Sequence, residues 1–309
     1  MFRIALTAAA LGATATTAAA DCETVVFSDV GWTDITATTA VTTQVLQAMG
    51  YDTETRVLSV PVTYTSLANG DVEVFLGNWM PTMENDIAPY REEGSVETVR
   101  ANLEGAKYTL AVNAAAAELG IENFSDIADY QDELDAEIYG IEPGNDGNRL
   151  IRTMIEEDAF GLGEFDIVES SEQGMLAQVD RAGRREAPMV FLGWEPHPMN
   201  ARFDMSYLEG GDDYFGPNLG GATVYTNTTA GFTESCPNIG TFLDNLSFSL
   251  EMENQVMGLI LEDGMAPDEA ATTWLQENPE AIAPWLDGVT TLEGEPAQPA
   301  VREALGLSG

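Results

Sequence analysis

The chain has 309 residues, of which 12 are basic and 52 acidic, giving a formal charge of −40. So few Lys and Arg exclude nucleic-acid binding through phosphate neutralisation, and the 44% apolar content is that of a folded globular protein. The length suffices for two packed lobes, since single cores stop growing near about 250–300 residues.

Residues 1–20 read MFRIALTAAALGATATTAAA, with Arg3 at the start, a short apolar stretch and three small residues before Asp21. This pattern predicts a cleaved signal peptide and export to the periplasm, because the apolar part falls short of the roughly 20 residues that span a bilayer. A lipid anchor on Cys22 is the competing reading, but Asp21 stands where a lipoprotein site wants a small apolar residue. The mature chain keeps two cysteines, Cys22 and Cys236. In an oxidising compartment two lone cysteines most often pair, the alternative being two separate buried thiols. Neither has the His or further Cys of a zinc site, so no metal is expected.

Strands are predicted over 23–28, 56–60, 72–76, 107–113, 137–141, 166–168, 189–192 and 222–226. Between them run predicted helices. One starts at Thr33 or Asp34 and carries the stripe Val41, Val45, Leu46 and Met49; others cover 63–68, start at Gly147 and cover 172–184. Three more follow over 239–248, 252–263 and 267–276. Strands separated by helices imply an α/β protein with parallel sheets covered on both faces. The segments 107–113 and 222–226 flank a middle block with its own strand–helix units, so two lobes are predicted: 21–110 with 223–309, and 111–222. Both cysteines then fall in the first lobe.

Three strands end alike. Residues 25–28 are followed by Gly31-Trp32, 72–76 by Gly77-Asn78-Trp79, and 189–192 by Gly193-Trp194. Ligands of open α/β sheets bind beyond the carboxyl ends of strands, so the indoles are expected where a ligand sits. Trp274 and Trp285 lie on helix stripes and are assigned to the core. A quaternary ammonium, having no N–H to donate, is best held by surrounding π faces at about 0.5–2 kcal/mol each, and an acidic protein suits a cation. Tyr108 supplies a fourth wall if strand alternation turns it inward and Lys107 outward. The plainer reading is that the three indoles only cover the ends of the core.

The segments GWTD (31–34), NWMP (78–81), YTLAV (108–112), PGNDGN (143–148) and GWEPHPMN (193–200) occur in order along nearly the whole mature chain. Together they resemble the periplasmic choline-binding proteins of bacterial ABC importers, within the wider group that binds glycine betaine and related osmolytes. The resemblance implies a two-lobed periplasmic binding protein fold of type II-like design, each lobe a mostly parallel sheet flanked by helices, joined by a hinge. It implies an aromatic box of Trp32, Trp79, Tyr108 and Trp194, with Asp34 near the ammonium and hydroxyl and Asn145 bonded to the hydroxyl. It also implies a Cys22–Cys236 disulfide, choline as ligand, a membrane permease as partner, a monomeric state and no cofactor.

A choline hydroxyl donates to a carboxylate and accepts from an amide, which Asp34 and Asn145 provide. Glycine betaine carries a carboxylate that Asp34 would repel, although the turn 144–147 at a helix start offers N–H groups to an anion; trimethylamine N-oxide and acetylcholine remain further alternatives. Asp34 is also a plain helix N-cap in form, and Asn145 on its own reads as a turn residue. An enzyme is the rival of another class. Its one base near neutral pH is His197, in EPHP, read as structural or at a rim. No nucleophile elbow, His pair or phosphate loop occurs. A carboxylate-dependent hydrolase stays as the alternative because acidic residues are abundant.

Overall fold

The computed structural model describes residues 22–307; the predicted signal peptide, 1–20, lies outside the described residues. Nine strands form one sheet: β1 Thr24–Asp29, β2 Asp52–Val57, β3 Val74–Met80, β4 Val96–Asn113, β5 Glu137–Tyr139, β6 Asp166–Val168, β7 Val190–Glu195, β8 Met205–Tyr207 and β9 Gly221–Thr229. Their order is β2-β1-β3-β9-β4-β7-β5-β6, with β8 beside β4. Helices flank both ends, giving two lobes, one around β2-β1-β3 and one around β7-β5-β6. Within each end the strands are parallel, as the strand–helix alternation predicts. The middle is not: β9 runs antiparallel to β3 and β4, and β4 antiparallel to β7. The two lobes therefore share one sheet, joined by β4 and β9, rather than holding two separate ones.

β4 is 18 residues long, about 60 Å at roughly 3.3 Å per residue, so it reaches from one lobe into the other. Only its last part, 107–113, is legible as a strand. Three register shifts against β9 break the period-2 pattern upstream, around Thr98–Arg100, Ala101–Leu103 and Glu104–Ala106. β2 lies at 52–57 instead of the predicted 56–60, because Ser59 already caps the helix Val60–Asn69, which carries Pro61 in its first turn. As an exposed edge strand of polar residues, β2 has no apolar run to reveal it. The helix Glu84–Glu93 buries only Ile87 and was likewise without a periodic signal.

Two cores hold these elements. In the first lobe the predicted stripe Val41, Val45, Leu46 and Met49 is buried against Val25, Phe27, Val74 and Leu76 and against the C-terminal helices. Trp274 and Trp285 belong to this core. On the other face of the sheet, Tyr64 and Phe75 begin a second core that continues through Leu110 and Val112 into Phe191, Ile138 and Ile151 of the second lobe. Cys22 and Cys236 are bonded, with their Cα atoms 5.6 Å apart, and tie the start of β1 to the helix Pro237–Asn245. A loop of 214 residues is closed. Replacing both cysteines by Ser is expected to lower unfolding stability by about 2–5 kcal/mol, read from the urea midpoint. An unchanged midpoint would show the crosslink to be redundant. No described helix is long and apolar enough to cross a membrane.

Candidate ligand-binding site

Trp32 follows β1 as the N-cap of the helix Thr33–Ala48, and Asp34 lies in that helix's first turn. Trp79 is the penultimate residue of β3 and Trp194 of β7. Tyr108, on β4, stands directly opposite Trp194 in the antiparallel register. Asn145 is the N-cap of the helix Asp146–Glu156. All six line one cavity, together with Ile141 and Asp146, around about 270 Å³ free of protein atoms.

From sequence each indole is expected beyond a strand broken by glycine. For Trp79 and Trp194 this is corrected: both are inside their strands, and the glycines serve close approach. A Cβ on Gly77 would lie 2.7 Å from Ile35 Cδ1, and one on Gly193 2.9 Å from Ala111 Cβ. Gly147 is tighter, because a Cβ there would lie 2.1 Å from the Tyr108 hydroxyl. Only glycine lets the helix start come up against that ring.

The Tyr108 ring centroid lies 6.1 Å from that of Trp79 and 6.3 Å from that of Trp194, with interplanar angles of 62° and 81°. The rings therefore form walls at steep angles rather than a stack. The four aromatic residues are at most 6% exposed. Lys107 faces the other way and pairs with Glu195 at 2.9 Å, as alternation along a strand requires.

The polar groups leave a defined set of unmet bonds. Asn145 Oδ1 accepts from the Tyr108 hydroxyl at 2.9 Å and from the Asn148 N–H at 3.0 Å, and its Nδ2 donates to Asp146 Oδ1 at 3.1 Å. An amide oxygen has two lone pairs and its nitrogen two hydrogens. Asn145 is thus full as an acceptor and has one N–H left to give. Asp34 Oδ2 accepts from the Trp79 indole N–H at 3.1 Å. Its Oδ1, and Oδ2 of Asp146, are buried without a hydrogen-bond partner among the described residues, a costly arrangement. What these two carboxyl oxygens lack is a positive charge or a donor.

Burial is the main cause that pushes the Asp34 carboxyl up from 3.8 to about 8, with the nearby Glu172 charge adding to it. The Ile35 N–H and the Trp79 indole pull the other way and lose. Burial likewise raises Asp146 to about 6, against the Thr82 hydroxyl and, more weakly, the Arg149 charge, which lower it. No Lys or Arg lines the cavity to neutralise either carboxylate. Wider open grooves exist, such as that between Glu118, Asp180 and Arg202, but a single aromatic residue, Phe203, lines it.

His197 is buried, not at a rim. Its Nδ1 accepts from the Met199 N–H at 2.9 Å, so the proton sits on Nε2, which faces Glu172 Oε1 at 3.2 Å. Both nitrogens are engaged in structure, with no Ser or Cys against them. Among the described residues no group of three or more His, Cys, Asp or Glu could hold a metal.

Four residues escaped the sequence reading. Asp146 and Ile141 line the cavity. Glu142 accepts the Trp32 indole N–H at 2.7 Å, and Glu172 accepts the Thr33 backbone N–H at 2.8 Å. Asp146 had a signal, its place beside Asn145 in PGNDGN. The two glutamates had none, because their partners lie 110 and 139 positions away in sequence.

Residues 23–277 match the family described as the substrate binding domain of ABC-type glycine betaine transport systems. Among solved structures, the chain is similar to an ABC-transporter choline-binding protein in complex with choline: 67% identity, 92% of this chain and 99% of that chain covered, TM-score 0.91. It is similar at the same 67% identity to an ABC-transporter choline-binding protein in an unliganded semi-closed conformation, covering 93% of this chain and 99% of that one, with a TM-score of 0.86. The glycine betaine/carnitine transport binding protein GbuC of Listeria monocytogenes is 28% identical over 167 residues, 54% of this chain and 54% of that protein. With two lobes on a shared sheet and a closed aromatic cavity between them, the chain belongs to the substrate-binding domains of ABC-type glycine betaine transport systems.

Proposed function

We propose that the protein captures choline in this cavity, outside the cytoplasm, and hands it to the membrane permease of an ABC importer. The observation that carries the reading is the cavity's chemistry: four aromatic walls, a buried carboxylate oxygen of Asp34 without a donor, one free N–H on Asn145, and no cationic side chain. A trimethylammonium head meets π faces of Trp32, Trp79, Tyr108 and Trp194. The hydroxyl donates to Asp34 and accepts from Asn145, using the bonds each has left. A betaine carboxylate would instead face the carboxyls of Asp34 and Asp146, with no Lys or Arg in the lining to meet it. The likeness to the choline complex supports the same ligand.

In this reading residues 1–20 are removed on export to the periplasm. The lobes comprise 21–110 with 223–309, and 111–222, hinged where β4 and β9 cross between them. The mature protein acts as a monomer without cofactor or metal, and no bond is made or broken. Ligand contact with both lobes favours the closed form over the open one.

Calorimetry of the mature protein with choline, glycine betaine, trimethylamine N-oxide and acetylcholine tests the assignment. Choline is expected to bind tightest. Tight betaine binding with none for choline would reject it, and product release from choline esters, lost on replacing Asp34 and Asp146, would replace capture by hydrolysis.

A further inference from the structure

The helix Thr33–Ala48 starts without a cap of its own. Its N-cap is Trp32, whose side chain has no oxygen to accept from the first-turn N–H groups. The missing acceptor comes from the other lobe. Glu172 Oε2 accepts the Thr33 backbone N–H at 2.8 Å, and Oε1 accepts the Thr33 hydroxyl and faces His197 Nε2 at 3.2 Å. The Glu172 side chain is fully buried and stands in the first turn of its own helix, Glu172–Arg185. One carboxylate thus sits at the positive ends of two helices, one from each lobe, where negative charge is favoured.

We infer that Glu172 is a closure latch: a helix cap that exists only when the lobes meet, and that positions Trp32 and Asp34 through the residue between them. This rests on the two-lobe capture reading above. On opening, the Thr33 N–H and hydroxyl return to water, while Glu172 keeps only His197, itself fixed by the Met199 N–H. On closing, Thr33 is pinned, and with it the indole on one side and the carboxylate on the other.

Apart from the buried Tyr108–Asn145 bond inside the ligand cavity, two further cross-lobe contacts are more exposed. Arg149 grips Asp86 with two hydrogen bonds of 2.9 and 2.7 Å, but its side chain remains 35% exposed. Trp32 reaches Glu142 at 2.7 Å, at a part-buried position. Solvent competes for these bonds as the cleft opens and shuts, which weakens them as a switch. The Glu172 contact is dry, so its presence or loss changes the closed state more than either of these.

The test uses the mature protein with Glu172→Ala, Glu172→Gln and Thr33→Ala, measured by calorimetry with choline chloride and by small-angle scattering with and without it. Glu172→Ala is expected to weaken choline binding by about tenfold or more and to enlarge the radius of gyration at subsaturating choline. Saturating choline should restore both the wild-type radius and the wild-type tryptophan emission, a recovery that a damaged fold would not show. Glu172→Gln keeps one acceptor without the charge and should fall between; Thr33→Ala loses the hydroxyl alone and should lose least. If the alanine variant fails to fold, the ordering of the other two decides. Wild-type affinity and wild-type scattering in both Glu172 variants would overturn the latch. Absence of choline heat in the wild type would overturn the capture reading instead, and scattering of the ligand-free variants against wild type would still judge the latch.

Discussion

Asp34→Asn is expected to weaken choline binding by about 2–5 kcal/mol, the cost of deleting one partner from a buried charge pair, or between about 30-fold and several thousand-fold. The variant keeps the shape of the cavity and an oxygen for the Trp79 indole, so the loss isolates charge. The same carboxyl makes binding depend on pH, with a sign that follows from its position. In the ligand-free protein it is held at about 8, so it carries a proton at neutral pH. A cation in the cavity favours the ionised form, and binding therefore releases that proton below pH 8. Affinity should fall as pH falls through this range, by up to about tenfold per unit, and level off above it.

Stability of the ligand-free protein should move the opposite way. A folded-state carboxyl raised from 3.8 to about 8 holds a proton that the unfolded chain has already lost between those values. Stability is then lost as pH rises through that window and is flat above it. Asp146, raised to about 6, acts with the same sign over a narrower range. Calorimetric titrations and melting curves from pH 5 to pH 9 give both slopes, and Asp34→Asn should flatten each by one proton. A pH-independent affinity in the wild type, or an Asn variant that binds choline within about threefold of it, would remove Asp34 from the ligand's surroundings.

Trp194→Ala is expected to cost about 2 kcal/mol, near 30-fold in affinity, since a desolvated indole face contributes at the upper end of the cation–π range. Trp194 also walls Tyr108 from the side at 6.3 Å, so its loss frees that ring and the effect on binding exceeds one contact. Trp194→Phe retains a weaker face and should fall between. Trp274→Ala supplies the control: this indole is equally buried but bonded to Gln255 in the first-lobe core. It should lower the melting temperature and leave the affinity of the folded protein unchanged. An undiminished affinity in Trp194→Ala would take that wall out of the cage.

The sequence by itself determined which chemistry could be assembled. Tryptophans next to glycines, a carboxylate at a helix start and an amide at another are local features, and local spacing exposes them. The helix stripe of Val41, Val45, Leu46 and Met49 was legible for the same reason: its period repeats within a few turns. The long strand β4 was legible only at its end, because bulges erase alternation where the chain bends between lobes. Tertiary structure alone decided that the parallel ends are stitched by antiparallel strands, that Asn145 is already saturated as an acceptor, and that Glu142 and Glu172 secure the opposite lobe. Those facts depend on groups from tens of residues to well over a hundred apart reaching hydrogen-bond distance. A chain encodes such meetings only through the packing of both lobes at once, which no window of residues contains.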